Sequence, residues 1–478
     1  MNSYINSDKN KTILINNYST GIYCAIILLF IIFRILIYFE TEYFVIWFDS
    51  AQFAATSFAS VWSNLFWSDG IPPLYPFFLK HFTTLSSNPI PIENSFLSLF
   101  SYNPTIIKGI ELLDNYPYLL VKNNFDIISA SLFQFLFSTL SCVIFALSFS
   151  SIFKNIYIKL VSTTFILMLG MESSITLWDK HILTESISIS LLFITISFLI
   201  HIKYVAKNII FLVLFLLILI SLSFIKITNN YLIVLLIPLV VFHFIKGNYN
   251  YKINYALLFS TLLSLFIFNQ YMLFNGDRSN VPMKDLISSR ISTQGYEDIY
   301  YYFRNSGMPE LPKDTIGKLW TAPFEDYPEL NDWWINKSSK TYQTYLITHP
   351  GYFFFRPFQY TNEFNKPVYN YLTPDLHFHE QVAPTKLKII FTDTFLWISF
   401  SVLSLLLLSI FIKNKTIDID NTLLPIFLLI SGTALYLIIW HADLGELDRH
   451  LIQCAIMLRI AILMLLMIFA SFLVKKDH

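Results

Sequence analysis

Apolar runs of bilayer length recur along most of this chain, and they restrict the folds that are open to it. A transmembrane helix needs roughly 20 consecutive, mainly apolar residues, and by that criterion the sequence contains about ten spans. These spans are 20–39, 125–150, 156–174, 184–202, 208–225, 230–245, 253–274, 389–412, 422–440 and 451–474. Charged residues make up only 13% of the chain, well below the share in soluble domains. We therefore expect an all-α polytopic membrane protein.

Lysine pairs in the short connections between spans predict how the chain is oriented. The pairs are Lys9/Lys11, Lys154/Lys159, Lys203/Lys207, Lys246/Lys252, Lys413/Lys415 and Lys475/Lys476. Cytoplasmic loops are enriched in Lys and Arg. Placing all six pairs on the cytoplasmic side puts both termini in the cytoplasm. We expect the protein to be integral to a plasma or inner membrane. Because the formal net charge is zero, nothing in the composition indicates a nucleic-acid partner.

Two long segments then face outward, and most of the prolines lie in them. Seven of the 19 prolines fall in 40–124 and ten in 275–388. Long loops in compact proteins are usually functional. We divide the chain into a transmembrane module (1–274, with the first outer loop at 40–124), an extracytoplasmic loop region (275–388) and C-terminal transmembrane helices (389–478).

Adjacent tryptophans, Trp333 and Trp334, stand out in the second long loop. An aromatic belt at the membrane interface explains most of the other tryptophans on the outer face. A flat aromatic ring also suits the apolar face of a sugar, which makes this pair a candidate for substrate binding. Packing in the core of the loop is the alternative role.

Asp49 follows the first span directly and is flanked by large apolar residues. A partly desolvated carboxylate at the membrane boundary can act as a general base. The alternative is an N-cap for the amphipathic helix expected at 51–67. A stiff segment, Pro72-Pro73-Leu74-Tyr75, would then hold the loop against the membrane.

A polar cluster, Asp179-Lys180-His181 and then Glu185, occupies a short outer connection. If the following helix extends outward, His181 and Glu185 share a face at i, i+4 and bind a metal ion or an acceptor. An ion pair, or a helix start capped by Thr184, explains the same residues without a ligand.

Cations are also placed near the predicted outer surface. Lys226 ends an apolar run, Arg449 and His450 precede the last span, and Arg34 and Arg459 lie inside spans. Ionisable groups at such depth are functional hypotheses by default. Snorkelling to the interface is the alternative for Arg34 and Lys226. A phosphate-bearing lipid headgroup would explain several cations near one surface.

In their order, these features resemble the GT-C superfamily of polytopic glycosyltransferases, which includes protein O-mannosyltransferases and bacterial aminoarabinose transferases. Asp49 stands where members place an acidic residue, although Ser50 replaces the second carboxylate of the O-mannosyltransferases. The remaining motifs are the helix at 51–67, Pro72-Pro73-Leu74-Tyr75, Leu183-Thr184-Glu185-Ser186 and Glu446-Leu447-Asp448-Arg449-His450. The resemblance covers 20–270 and, more loosely, 441–460.

This resemblance implies an inverting transfer of a sugar from a polyprenyl-phosphate donor to a hydroxyl of a glycan, lipid or protein acceptor. Asp49 would be the general base, while Asp179 and Glu185 would orient the acceptor or hold a divalent metal ion, the one cofactor considered. The donor phosphate would be bound by Lys180, Lys226, Arg449 and His450. Substrate contacts would come from His181, Tyr75, Trp333 and Trp334.

A transporter or flippase for a lipid-linked or small polar substrate is the main alternative, since about ten spans would serve it equally well. Transporters commonly break helices with Gly or Pro near the bilayer centre. Only 12 glycines occur, and two prolines, Pro238 and Pro425, lie within spans. A non-catalytic homologue of such an enzyme is the third possibility.

Overall fold

The computed structural model describes most of the expected helices but not the whole chain. It describes residues 2–40, 43–46, 74–75, 78–79, 105–108, 127–181, 184–226, 228–246, 249–274, 280–293, 295–318, 322–359, 419–442 and 447–476. The helices in the first half are α1 (Asn2–Glu40), α2 (Ile127–Ser150), α3 (Ile156–Gly170), α4 (Ser173–Thr176), α5 (Thr184–Ile200), α6 (Ile202–Val205), α7 (Ile209–Ile225), α8 (Asn229–Lys246) and α9 (Lys252–Phe274). The later ones are α10 (Val281–Asp285), α11 (Glu297–Asn305), α12 (Pro328–Trp333), α13 (Ser339–Thr348), α14 (Pro350–Phe355), α15 (Ile419–Ala442) and α16 (Leu447–Lys476).

Six helices among the described residues are long and apolar enough to cross a membrane. They contain the segments Thr20–Phe39, Ser129–Ser150, Asn229–Lys246, Lys252–Met272, Thr422–Ala442 and His450–Val474. Three further expected spans form shorter apolar helices, α3, α5 and α7, of 15, 17 and 17 residues. The expected span 389–412 lies outside the described residues. The multi-pass helical architecture is therefore confirmed, and the number of spans stays a prediction.

Two short strands depart from the all-α expectation. β1 (Tyr43–Ile46) pairs in parallel with β2 (Thr105–Lys108), in the register Tyr43 with Thr105 and Ile46 with Lys108. Both strands are rich in β-branched and aromatic residues, which suit a pleated sheet. The pairing brings Thr105–Lys108 beside the chain that leaves α1.

The helical bundle has two distinct ends. α2 and α5 run side by side in the same direction, because Phe145 stacks on Phe193 at 5.5 Å and Ser151 Oγ lies 3.3 Å from His201 Nε2. At this end of the bundle Asn254 Nδ2 donates to the Ala206 carbonyl at 2.7 Å. The connections that carry Lys154/Lys159, Lys203/Lys207 and Lys246/Lys252 all lie here. The buried charged and amide side chains of the bundle lie toward the opposite end.

The segment 280–359, expected as a loop region, folds as a group of short helices around its own apolar core. In α11 the apolar side chains Ile299 and Phe303 are buried, while acidic residues begin the helix and Arg304 ends it, as the helix dipole favours. Gly307, with φ of 89°, allows the chain to reverse after α11, and the Met308 amide bonds to the Phe303 carbonyl at 3.1 Å. We call this segment the helical cap.

The helical cap is attached to the end of α15. Arg290 Nη1 donates to the Trp440 carbonyl at 2.7 Å, and its guanidinium lies 3.9 Å from the centroid of the Trp440 ring. His441 is held on both ring nitrogens, by the Tyr342 hydroxyl at 2.9 Å and the Phe353 carbonyl at 3.0 Å. The cap is therefore fixed at the same end of the bundle as the buried polar residues.

Candidate functional site

Asp179 is the centre of a buried polar network between α1, α2 and α5. Its Oδ2 accepts from Arg34 Nη2 at 2.6 Å, and its Oδ1 accepts from the Ser186 hydroxyl at 2.8 Å. Arg34 also donates to the Gly170 carbonyl at 3.0 Å and to the hydroxyls of Ser138 and Thr139. Burial raises the pKa of Asp179, while the Arg34 charge and the hydroxyl donors oppose that rise. The snorkelling alternative for Arg34 is wrong, because its side chain has no exposed surface.

Gln134 of α2 fixes the connection that contains Asp179. Its amide nitrogen donates to the carbonyls of Trp178 at 3.1 Å and His181 at 2.8 Å, and its amide oxygen accepts from the Tyr75 hydroxyl at 2.7 Å. Tyr75 is completely buried, and burial together with the negative charge of Glu185 raises its pKa. The structure therefore gives the Tyr75 hydroxyl a positioning contact with Gln134, and its expected contact with a substrate stays a prediction.

Lys180 lies inside the same connection and is also buried, with 1% of its surface exposed. Its ammonium lies 4.1 Å from the centroid of the Tyr38 ring, a cation–π contact near the C-terminal end of α1. Burial lowers the pKa of Lys180 to about 7, although the adjacent Asp179 charge raises it. This amine can therefore change its charge near neutral pH.

Glu185 lies in the first turn of α5 and pairs with Lys226, the residue that directly follows α7. Lys226 Nζ lies 2.8 Å from Glu185 Oε1, and both side chains are buried. The ion-pair alternative for Glu185 is confirmed, although its partner is Lys226 and not a neighbour in sequence. The snorkelling alternative for Lys226 is wrong, because the carboxylate holds its amine inside the protein.

A ladder of amide and hydroxyl side chains crosses five helices beside this pair. Gln453 of α16 and Asn229 of α8 both donate to the Ser188 hydroxyl of α5, and Asn269 of α9 donates to Ser223 of α7 and to Asn230 at 3.4 Å. Three amide atoms of this ladder have no hydrogen-bond partner among the described residues: Gln453 Oε1, Asn230 Nδ2 and Asn269 Oδ1. We call these residues the amide ladder.

Arg459, which lies nine residues inside the candidate span His450–Val474, is also part of an ion pair. Its Nη1 lies 2.8 Å from Glu172 Oε2, with both side chains almost completely buried. The pair connects α16 to the turn after α3. Together with Arg34–Asp179 and Lys226–Glu185, it is the third buried ion pair that links helices around the site.

His181 is not on a helix face with Glu185. The short 3₁₀ helix Leu177–Lys180 ends before it, its backbone is extended (φ −96°, ψ 124°), and α5 begins at Thr184. The i, i+4 expectation is therefore wrong. His181 instead packs against Trp178, with ring centroids 5.2 Å apart.

Trp333 and Trp334 belong to the core of the helical cap. Only 2% and 7% of their surfaces are exposed, and their indole nitrogens donate to the carbonyls of Ser306 at 3.4 Å and Asn280 at 3.0 Å. A buried ring offers no face to a sugar, so the packing role fits both residues and the substrate-binding role does not.

Several expected site residues cannot be placed. Asp49, the helix at 51–67 and the Pro72-Pro73 pair lie outside the described residues. Arg449 is in the first turn of α16, but its side chain is outside the described part, while His450 next to it is partly buried. Five of the expected site residues therefore lie at one end of the bundle: Asp179, Lys180, His181, Glu185 and Lys226. Tyr75 is connected to them through Gln134.

Metal binding has no support in the part of the chain that the structure describes. That part contains no group of three or more His, Cys, Asp or Glu side chains that could hold an ion. Asp179 and Glu185, the two carboxylates expected to do so, are paired with Arg34 and Lys226 instead.

Sequence reasoning missed the amide ladder and Gln134, yet a signal was present. Gln134 and Gln453 are single amide residues inside long apolar runs, and Asn269 is one of two adjacent amides (with Gln270) inside another. An unpartnered polar group in such a run costs several kcal/mol. Such a residue indicates a buried polar contact, even though its partner cannot be read from the sequence.

Comparison of the chain with protein-family models, with curated proteins and with solved structures gives no match. The resemblance to the GT-C superfamily therefore remains a hypothesis based on the order of motifs.

Proposed function

We propose that the protein is a membrane glycosyltransferase that moves a sugar from a polyprenyl-phosphate donor to an acceptor hydroxyl. The observation that carries the proposal is the convergence of Asp179, Lys180, Glu185 and Lys226 at one buried end of an apolar bundle. Burying charge in such a bundle is expensive, and intramembrane ionisable groups mark functional sites. Clustered polar groups with a shifted pKa at one position support the same conclusion.

Within this cluster, Lys180 is the best candidate for contact with the donor phosphate. The positive charge of Lys226 is balanced by Glu185 at 2.8 Å, and that of Arg34 by Asp179 at 2.6 Å. A cation in a low-dielectric site stabilises developing negative charge strongly. We assign the Lys226 and Arg34 pairs to fixing the site. We assign Lys180 to the leaving phosphate because its pKa of about 7 lets the charge of its amine respond to a phosphate.

The chemistry is a single displacement. The acceptor oxygen forms a bond to the anomeric carbon as the bond from that carbon to the phosphate oxygen breaks, which inverts the configuration. The hydroxyl proton passes to the Asp49 carboxylate, acting as general base. The bonding electrons leave with the lipid phosphate, whose charge Lys180 stabilises.

Spare hydrogen-bonding capacity supports a polyhydroxylated substrate. The amide ladder retains acceptor atoms on Gln453 and Asn269 and a donor on Asn230. A sugar hydroxyl both donates and accepts, so it can satisfy either kind of atom. The amide ladder lies close to Glu185. Its nearest member, Ser188, is three residues later in α5, which is about one helical turn further from the start of the helix.

The active end is proposed to face the extracytoplasmic side. The described lysine pairs lie at the opposite end of the bundle, and such pairs favour the cytoplasm. Donor and membrane lipids would reach the site from the outer leaflet, and the acceptor from the aqueous side. The acceptor is a glycan, a lipid or a protein.

Asp49→Asn separates this proposal from transport. Purified protein in liposomes would be given radiolabelled polyprenyl-phosphate sugars and cell-envelope extract as acceptor. The wild type should transfer label to the extract, and Asp49→Asn should lose transfer by at least 100-fold while keeping its thermal stability. Unchanged transfer by the variant refutes the assignment of the base. Movement of label across the membrane without transfer, in both proteins, favours the flippase alternative.

A further inference from the structure

The chain that leaves α14 runs along the last turns of α15. Phe353 stacks on His441 with centroids 5.0 Å apart and accepts from its Nε2 through the carbonyl oxygen. Four and five residues later, the Pro357 carbonyl accepts from the Tyr436 hydroxyl at 2.6 Å and the Phe358 ring lies 5.6 Å from the Tyr436 ring. From His441 to Tyr436 the segment descends five residues of α15, about 7.5 Å at the helical rise.

That descent follows the part of α15 that is long and apolar enough to cross a membrane. Thr422–Ala442 has 21 residues and is therefore about 31 Å long, close to the thickness of the hydrocarbon core. Tyr436 lies six residues before Ala442, about 9 Å from the end of the span. Helical side chains tilt toward the N-terminus of their helix, which for Tyr436 is toward the bilayer centre. With Thr422–Ala442 as the membrane span, Pro357 and Phe358 are level with lipid and not with water.

The outward surface of the segment suits lipid in its chemistry. Phe354, Phe355 and Phe358 expose 51%, 71% and 47% of their surfaces. The one charged residue of 350–359, Arg356, is turned back to the helical cap, where it donates to the Gly295 carbonyl at 2.8 Å and lies 4.7 Å from the Tyr296 centroid. Segments that lie at the boundary between headgroups and acyl chains typically expose aromatic rings on one face and keep their charged groups on the other.

We propose that residues 353–358, the aromatic foot, insert into the bilayer and contact phospholipid acyl chains. The helical cap is then held by lipid through the foot as well as by protein through Arg290 and Trp440. The proposal does not depend on sugar transfer, because it follows from the depth of Tyr436 and the exposure of the rings. It commits to lipid as the occupant of this surface, and not to water or to another protein chain.

Collision measurements on a spin label test the depth of the foot. Cys24 is the exposed native cysteine and would be replaced by Ser, whereas Cys142 and Cys454 are buried and can stay. Nitroxide labels would be placed in turn at Phe354→Cys and Phe355→Cys, with the full-length protein in phosphatidylcholine liposomes. Leu28→Cys on α1, 58% exposed, is the reference for lipid. Lys313→Cys, an exposed polar position of the cap, is the reference for water.

The proposal predicts that both foot labels collide with oxygen more often than the Lys313 label does. It also predicts collisions with a water-soluble nickel chelate at least fivefold fewer than at Lys313. Frequent collisions with the chelate would place the foot in water and overturn the proposal. Rare collisions with both reagents would mean that protein covers the rings, which overturns it equally.

Discussion

Lys226 Nζ and Glu185 Oε1 lie 2.8 Å apart, although 41 residues separate them in the sequence. The lysine directly follows α7 and the glutamate lies in the first turn of α5, so the pair joins two helices at the polar end of the bundle. A lysine expected to bind phosphate is thereby already neutralised. In our proposal this pair fixes the geometry of the site, and the donor phosphate is assigned to Lys180.

Removing one member of this pair should cost more than removing both. Glu185→Gln leaves the buried Lys226 charge uncompensated, and breaking a buried pair typically costs about 3–5 kcal/mol. The double variant Glu185→Met/Lys226→Met should recover most of that loss. Thermal unfolding in detergent measures both. A double variant no more stable than Glu185→Gln would contradict the reading of the pair as mutually compensating.

Lys180 should make lipid-phosphate binding sensitive to pH near neutrality. With burial lowering the pKa of Lys180 to about 7, the amine loses its charge as the pH rises through that value. The apparent Kd for polyprenyl phosphate should rise roughly three- to tenfold more between about pH 7 and pH 8.5 in the wild type than in Lys180→Arg, because arginine stays charged. The lipid titrates identically with both proteins, so the difference reports Lys180. Parallel pH profiles would contradict the assignment.

Gly170 should tolerate no side chain. A Cβ there would lie 2.8 Å from Cys142 Sγ, and the Gly170 carbonyl accepts from Arg34. Gly170→Ala should cost about 1–3 kcal/mol through overpacking. Gly21→Ala is the matched control, because nothing lies within 4 Å of its added Cβ in α1. That change should be neutral or stabilise the helix by roughly 0.5–1 kcal/mol. Equal unfolding temperatures for the two variants would show that the close approach is absent.

Arg290 should hold the helical cap on the bundle. Arg290→Ala removes both the bond to the Trp440 carbonyl and the contact with its ring. Amide hydrogen exchange should then speed up across 280–359 while α2 and α5 keep their protection. Arg304→Ala is the control, since Arg304 bonds only locally, to the Met308 carbonyl at 2.6 Å. Exchange unchanged in Arg290→Ala, or equally faster in both variants, would contradict this role.

The apolar runs predicted most helices closely, because bilayer length and hydropathy are local properties of the sequence. α1 ends at Glu40, one residue after the expected limit, and α5 begins at the expected Thr184. The same reasoning placed the described lysine pairs together at one end. It overestimated α3, which ends at Gly170 rather than residue 174, because Met171 and Glu172 form a turn.

The partners inside the site could not be predicted, because they come from helices that are distant in sequence. Arg34 and Asp179 are 145 residues apart, and Arg459 and Glu172 are 287 apart. Local spacing predicted that His181 and Glu185 share a helix face. They do not, because the 3₁₀ helix ends at Lys180 and the backbone of His181 is extended. The tryptophan pair shows the same limit, since a ring that stacks on sugar and a ring that packs a core have the same local sequence.

Binding of polyprenyl phosphate tests the central claim most directly, because every donor of this class shares that leaving group. Native mass spectrometry at about pH 6.5 would compare the wild type with Lys180→Met and with Lys154→Met, an exposed lysine at the opposite end of the bundle. We predict that Lys180→Met weakens binding by at least tenfold, while Lys154→Met binds as the wild type does. Equal binding by all three proteins, with unchanged folding, would contradict the proposal that the buried polar end receives a lipid phosphate.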